Sequence, residues 1–239
     1  MDRRKVRLLL WAGCLGAAVL FAGDMLFYGN WGSGRSFTPD NVGNVMANVA
    51  LWRLQLGSIT GPIGVAFDLL GMLGLWFCCR RASPRLAAVM FVCMYTMDLS
   101  GVLQHGIFGP LGFAFRYCGR SSEAVTQILK LNSILSIAQI IVGWIGLAIW
   151  FFLTLKKRAG VPRWTVFFHP ILTMLLVFAV GYVPAPLGYP LAGGWSNIRS
   201  SAWFAVLALT YKDAEIESRA AETRESEPSG PLNLIRRGI

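Results

Sequence analysis

The sequence predicts an all-α polytopic membrane protein, with about six transmembrane helices and one or two interfacial helices on the outer side. Three observations lead there. Uninterrupted apolar runs of roughly 20 residues recur along the chain, each long enough to cross a hydrocarbon core of about 30 Å. Of the 239 residues 55% are hydrophobic and only 14% charged, with a mean hydropathy of +0.54, whereas a soluble domain carries about 25% charge. The basic residues also alternate in position. Arg3, Arg4, Lys5 and Arg7 precede the first run; Arg80, Arg81 and Arg85 lie between the second and third; Lys156, Lys157, Arg158 and Arg163 lie between the fourth and fifth. The intervening loops are poorer in Lys and Arg, which is the positive-inside pattern. The net charge of +10 is therefore a topology signal, and a nucleic-acid partner is not expected.

The first helix is expected from about Leu8 to Tyr28. Its start mimics a secretory signal, and Ala12-Gly13-Cys14 hints at a lipoprotein cleavage site. The four residues between Arg7 and Ala12 are too few for an apolar core of about 7–15 residues, so the segment reads as a retained helix. Thr38-Pro39-Asp40 is a helix start: Thr38 as N-cap, Pro39 in the first helical position, Asp40 at the positive end of the dipole. That helix would continue through Trp52 toward Gly57. Asn41, Asn44, Asn48 and Gln55 share one side of it and Val42, Val45, Met46 and Val49 the other, so it is expected to lie at the outer interface and cap a polar centre. The second helix should run from Gly57 to Cys79 and the third from Leu86 to Phe108. Ser122-Glu123 starts a second outer helix that runs into the fourth, Ser133 to Leu155. The fifth covers Trp164 to Val183.

A sixth helix, Ile198 to Tyr211, would span only about 21 Å and must be completed by part of the Pro- and Gly-rich stretch Pro184 to Gly194. Six spans place both termini in the cytoplasm together with every basic cluster. Residues 1–211 form one transmembrane domain. The segment 212–239 mixes six acids with five bases and reads as a mobile polar cytoplasmic tail.

Within the apolar runs stand three aspartates, Asp24, Asp68 and Asp98. A carboxylate at membrane depth costs about 2.5–3.5 kcal/mol on insertion scales, so it marks a group that is held or used. Asp68 shares a stripe with Gly57, Gly61, Gly64 and Gly71, and small residues let membrane helices approach closely. Asp24 shares one with Gly13, Ala17 and Leu20, and Asp98 one with Met94, Gly101 and His105. Each aspartate thus faces protein. Counting the helical rise from the basic end puts Asp68 and Asp98 at roughly 16–18 Å and Asp24 and His105 at roughly 24–28 Å. This gives a carboxylate pair at mid-depth below a carboxylate–imidazole pair. Two close carboxylates in low dielectric do not both ionise cheaply, so the pair is expected to hold a proton.

Asp98, Asp68, Asp24 and His105 are accordingly the candidate catalytic residues. Candidate substrate-binding residues are Asn48, Arg53, Gln139, Trp195, Asn197 and Arg199, with Arg53 or Arg199 able to neutralise Asp24 or to bind an anionic head group. His169, deeper and next to Pro170, reads as structural. The five cysteines show neither metal spacing nor a CxxC pair, and two histidines far apart in depth exclude a three-His site. Neither metal nor cofactor is expected.

The leading functional expectation is an integral-membrane enzyme performing acid–base chemistry on a hydrophobic lipid or isoprenoid-like substrate. In size, helix count and buried carboxylates the chain is similar to small membrane sterol isomerases and meroterpenoid cyclases, a likeness that carries no motif and transfers no residue roles. A proton-coupled carrier or channel is the alternative, since intramembrane Asp and His chains serve as proton relays. Six helices would then need to pair as a homodimer. A non-catalytic accessory protein, its polar residues only locking helices together, is the third reading.

Overall fold

The computed structural model describes residues 2–212, and they are all-helical. The expected tail lies outside them, apart from Lys212. The long helices are α1 (Arg3–Tyr28), α3 (Leu51–Cys79), α4 (Pro84–Tyr117), α5 (Glu123–Leu155) and α8 (Gly188–Thr210). The short ones are α2 (Pro39–Asn48), α6 (Pro170–Thr173) and α7 (Val177–Val180), with 3₁₀ turns at Gly34–Ser36, Arg163–Phe168 and Met174–Leu176. Local chemistry sets the starts. Asp2, Thr38 and Ser122 each accept a backbone N–H of the first turn, at 3.3 Å in all three cases.

The long helices form one curved row. At its centre α3 packs against α1 on one side and α4 on the other; α8 then covers α1, and α5 covers α4. The segment 163–180 bridges the two ends of the row by touching both α5 and α8. Space is left in the middle. Two apolar clusters bound that space. At the basic end lie Leu10, Met72, Leu75, Met90, Trp150 and Leu207, and at the far end Phe27, Met46, Leu54, Leu111, Phe115 and Tyr189.

Several boundaries differ from expectation. The outer helix stops at Asn48, because Val49 and Ala50 are extended (ψ 154° and 140°), and α3 starts at Leu51 instead of Gly57. α4 continues nine residues beyond Phe108, through Pro110. At 34 residues it is ~51 Å long, well beyond the ~30 Å of a hydrocarbon core. Its last turns carry Leu111 and Phe115, which pack with Met46 of α2. The fifth apolar run is not one helix but a chain of short 3₁₀ and α turns. α8 takes in the Gly-rich stretch from Gly188 and reaches 23 residues.

Five helical stretches are long and apolar enough to cross a membrane: α1, α3, α4, α5 and residues 163–180. Leu15, Ile59, Val92, Leu103, Ile137 and Phe178 are among many large apolar side chains left exposed. A surface of this kind is stabilised by lipid and not by water. The fold is consistent with a helical membrane protein.

Candidate functional site

The three aspartates converge on the space inside the row. It is a cavity of about 420 Å³, lined by residues from α1, α3, α4, α5, α6 and α8. Asp24, Asp68 and Asp98 are each at most 7% exposed, and all three line it together with His105.

Close helix crossing brings Asp68 there. A Cβ on Gly16 of α1 would lie 2.5 Å from the Asp68 nitrogen and 2.6 Å from the Gly64 carbonyl oxygen of α3. Only hydrogen at position 16 permits that approach. On the other side of α3, Gly61 is flush against the His105 side chain, which fixes α4 and points the imidazole into the cavity. Phe27 and Phe108 flank the ring, with centroids 6.1 and 6.0 Å away.

The acids form two groups. Asp68 and Asp98 stand beside each other on the cavity wall, and each has an oxygen buried without a partner: Oδ1 of Asp68 and Oδ2 of Asp98. Asp24 is satisfied differently. Its Oδ2 accepts from Asn197 Nδ2 at 2.7 Å, while the Tyr28 hydroxyl, which lines the same cavity, donates to the Gly193 carbonyl at 3.4 Å. His105 Nε2 stands 4.0 Å from Asp24 Oδ1, and its Nδ1 is buried without a partner. Buried polar atoms are normally satisfied, so orphaned atoms gathered around one cavity mark a place where another molecule supplies partners.

Of the candidate binding residues, Gln139, Asn197 and Arg199 line the same cavity. Arg199 Nη1 donates to the Pro170 carbonyl at 2.9 Å while Nε is buried and unpartnered. Among the described residues neither Arg199 nor Arg53 forms an ion pair with Asp24; Asn197 holds it. Three candidates lie elsewhere. Arg53 donates to the carbonyls of Met25, Leu26 and Gly29 at 2.7, 3.0 and 3.2 Å, closing the C-terminal end of α1. Asn48 bonds to the Asn44 carbonyl of its own helix at 2.8 Å, and Asn44 accepts from Arg120 at 3.0 Å. Trp195 donates to the Thr173 carbonyl at 3.1 Å, tying α8 to the bridging segment. His169 is buried beneath Trp203 (centroids 5.5 Å), and its Nδ1 accepts from Ile171 N–H at 3.1 Å as the cap of α6.

Tyr28, Gln104 and Ser200 also line the cavity, although sequence reasoning had not assigned them to it. The signal for Tyr28 was present, since it follows Asp24 by four residues on one helix and so lies on the same face. Among the described residues no three of His, Cys, Asp and Glu are arranged to hold a metal ion.

Comparison with known proteins adds one result. Residues 1–214 match a family of unknown function, DUF6796. The chain belongs to that family. The match takes in every helix described above, so the cavity lies wholly within the family's extent. No curated protein and no solved structure matches the chain.

Proposed function

We propose that the protein is an integral-membrane enzyme of the isomerase or cyclase type, using the buried carboxyl groups for acid–base chemistry on a hydrophobic lipid or isoprenoid-like substrate. The observation that carries this reading is the Asp68–Asp98 pair lining one cavity, with an oxygen of each buried without a partner. Two close carboxyl groups in low dielectric do not both ionise cheaply, so we take one of them to hold a proton. The pair is then a proton donor toward an alkene or epoxide. Asp24 or His105 takes a proton from the carbon beside the cationic centre, so the protons balance. Phe108, Trp144, Trp203 and Phe204 line the cavity and offer ring faces to a developing cation.

The route in supports a membrane-borne substrate. Ile140 and Trp144 of α5 line the cavity and are 56% and 40% exposed. α5 packs along α4 and meets α8 chiefly through the bridging segment, an arrangement that would suit entry from the side. Toward the basic end Met72, Met94, Trp203 and Phe204 close the floor. With α8 as a sixth crossing, ~34 Å long, both termini share the side of the basic clusters, which we take to be cytoplasmic.

The test is incubation of the purified protein with a total membrane-lipid extract in D₂O. The expected result is a lipid-soluble species that changes retention and gains deuterium with wild type and not with Asp68→Asn. Proton-coupled transport is the second reading. It is favoured by the broken segment 163–180, which resembles in kind the discontinuous helices of transporters. Unchanged lipids, together with proton flux into vesicles, would replace the first reading with the second.

A further inference from the structure

At the basic end of the row, away from the aspartates, lies a second concavity of about 360 Å³. Arg80 and Arg81 after α3, Lys157, Arg158 and Arg163 after α5, and Lys212 after α8 line it, over an apolar floor of Val6, Phe77, Val161 and Tyr211. Among the described residues no acid lines it. The positive-inside rule explains why cations gather at this end of the molecule. It does not explain why the ends of three separate helices converge on one cleft.

Two of the cations that frame it, Arg80 and Arg158, are held in place by contacts with neutral groups. Arg80 lies over the rings of Trp76 and Phe77, 5.0 and 4.3 Å from the centroids. Arg158 reaches the hydroxyl of Ser83 at 3.4 Å, a neutral partner. Gly160, at φ 58°, lets the 157–163 loop fold back so that its carbonyl accepts from Lys212 N–H at 3.0 Å, shaping the rim. Just beyond Arg163, Trp164, Phe167 and Phe168 are 48%, 71% and 40% exposed. Exposed aromatic rings beside a cationic rim suit the boundary between head groups and acyl chains.

We propose that this cleft binds the phosphate head group of an anionic phospholipid from the leaflet at the basic end, with the acyl chains lying against the aromatic flank. Basic pockets between membrane helices are suited to such head groups, and a lipid, unlike a free anion, would use both the cations and the adjoining apolar surface. The aspartate cavity is not involved, so the inference is independent of the reading above.

The experiment uses the full-length protein in mixed micelles, titrated with phosphatidylglycerol or phosphatidylcholine and read by native mass spectrometry. Wild type should retain phosphatidylglycerol at least about tenfold better than phosphatidylcholine. The double variant Arg80→Gln/Arg158→Gln should lose at least about tenfold of that preference, while Arg80→Lys/Arg158→Lys should keep most of it, because charge at the rim governs the attraction. Arg3→Gln/Arg4→Gln removes the same charge from the same end outside the cleft and should have little effect. Equal losses in the two Gln variants would overturn the proposal in favour of diffuse surface charge. Displacement of the lipid by glycerol phosphate at equal concentration would overturn the lipid source. If phosphatidylglycerol binds only after the six acids between Asp213 and Glu227 are replaced, the cleft belongs to the chain's own tail, and the proposal fails.

Discussion

Asp24 and the Asp68–Asp98 pair share one cavity but are held by different chemistry. Asn197 donates to Asp24 from α8, whereas Asp68 and Asp98 each keep an oxygen buried without a partner. Substitutions should therefore separate a reacting role from a packing one. Asp98→Asn keeps the side-chain shape and a polar group facing the cavity, so the fold should survive. The proton that moves in the proposed chemistry is gone. Activity per folded molecule should fall at least about a hundredfold, the low end for general acid–base catalysis. Asp68→Asn measured beside it tests the other member of the pair, His105→Gln shows whether the upper pair contributes, and a folded Asp98→Asn protein with full turnover would make the carboxylate structural. The convergence of the aspartates was legible in the sequence because each lies on a stripe of small residues, and that spacing is local. The work done by Arg53 was not. It closes the end of a helix 24 to 28 residues earlier in the chain, and no spacing rule connects the two.

Helix contacts set the geometry that those side chains need. The α1–α3 crossing brings backbone to backbone at Gly16, with the Asp68 nitrogen 2.5 Å from where a Cβ would sit. Gly16→Ala should force the two helices apart, cost about 1–3 kcal/mol as an overpacked contact, and shift Asp68 away from Asp98. Gly106→Ala is the internal control. A Cβ at Gly106 meets nothing within 4 Å, and Ala is the better helix former by about 0.5–1 kcal/mol. Thermal unfolding in one detergent should give a lower Tm for the first variant and an unchanged or higher one for the second. Matching losses would mean that the crossing is not what limits stability. At this scale the sequence reads long helices well and their interruptions badly. Hydropathy makes 164–183 one apolar run. Pro170 has no N–H to give, His169 caps the turn that Pro170 begins, and the Thr173 hydroxyl turns back to the His169 carbonyl at 3.1 Å. Conversely Pro110, which reads as a stop, is carried inside α4 because the helix beyond it has the α2 cluster to pack on.

Across the whole molecule, the row of helices arranges its features along its length: a basic cleft at one end, an apolar floor, a polar cavity, and a cap formed where α2 packs on the end of α4. The proposed six-span topology puts the two ends on opposite sides of a membrane, with α8 as the last crossing. Cys118 gives a direct test, because it is exposed just past the end of α4, while the other four cysteines are buried or half-buried. A membrane-impermeant maleimide added to intact cells should label Cys118. In a Cys118→Ser background carrying Lys212→Cys, the same reagent should label nothing until the membrane is opened, since Lys212 follows α8 at the basic end. Labelling of both positions from outside would mean that α8 does not cross, leaving five spans and termini on opposite sides. Labelling of position 212 alone would invert the molecule and place the basic clusters outside, against the positive-inside rule. The pair of measurements distinguishes these outcomes without depending on what the cavity does.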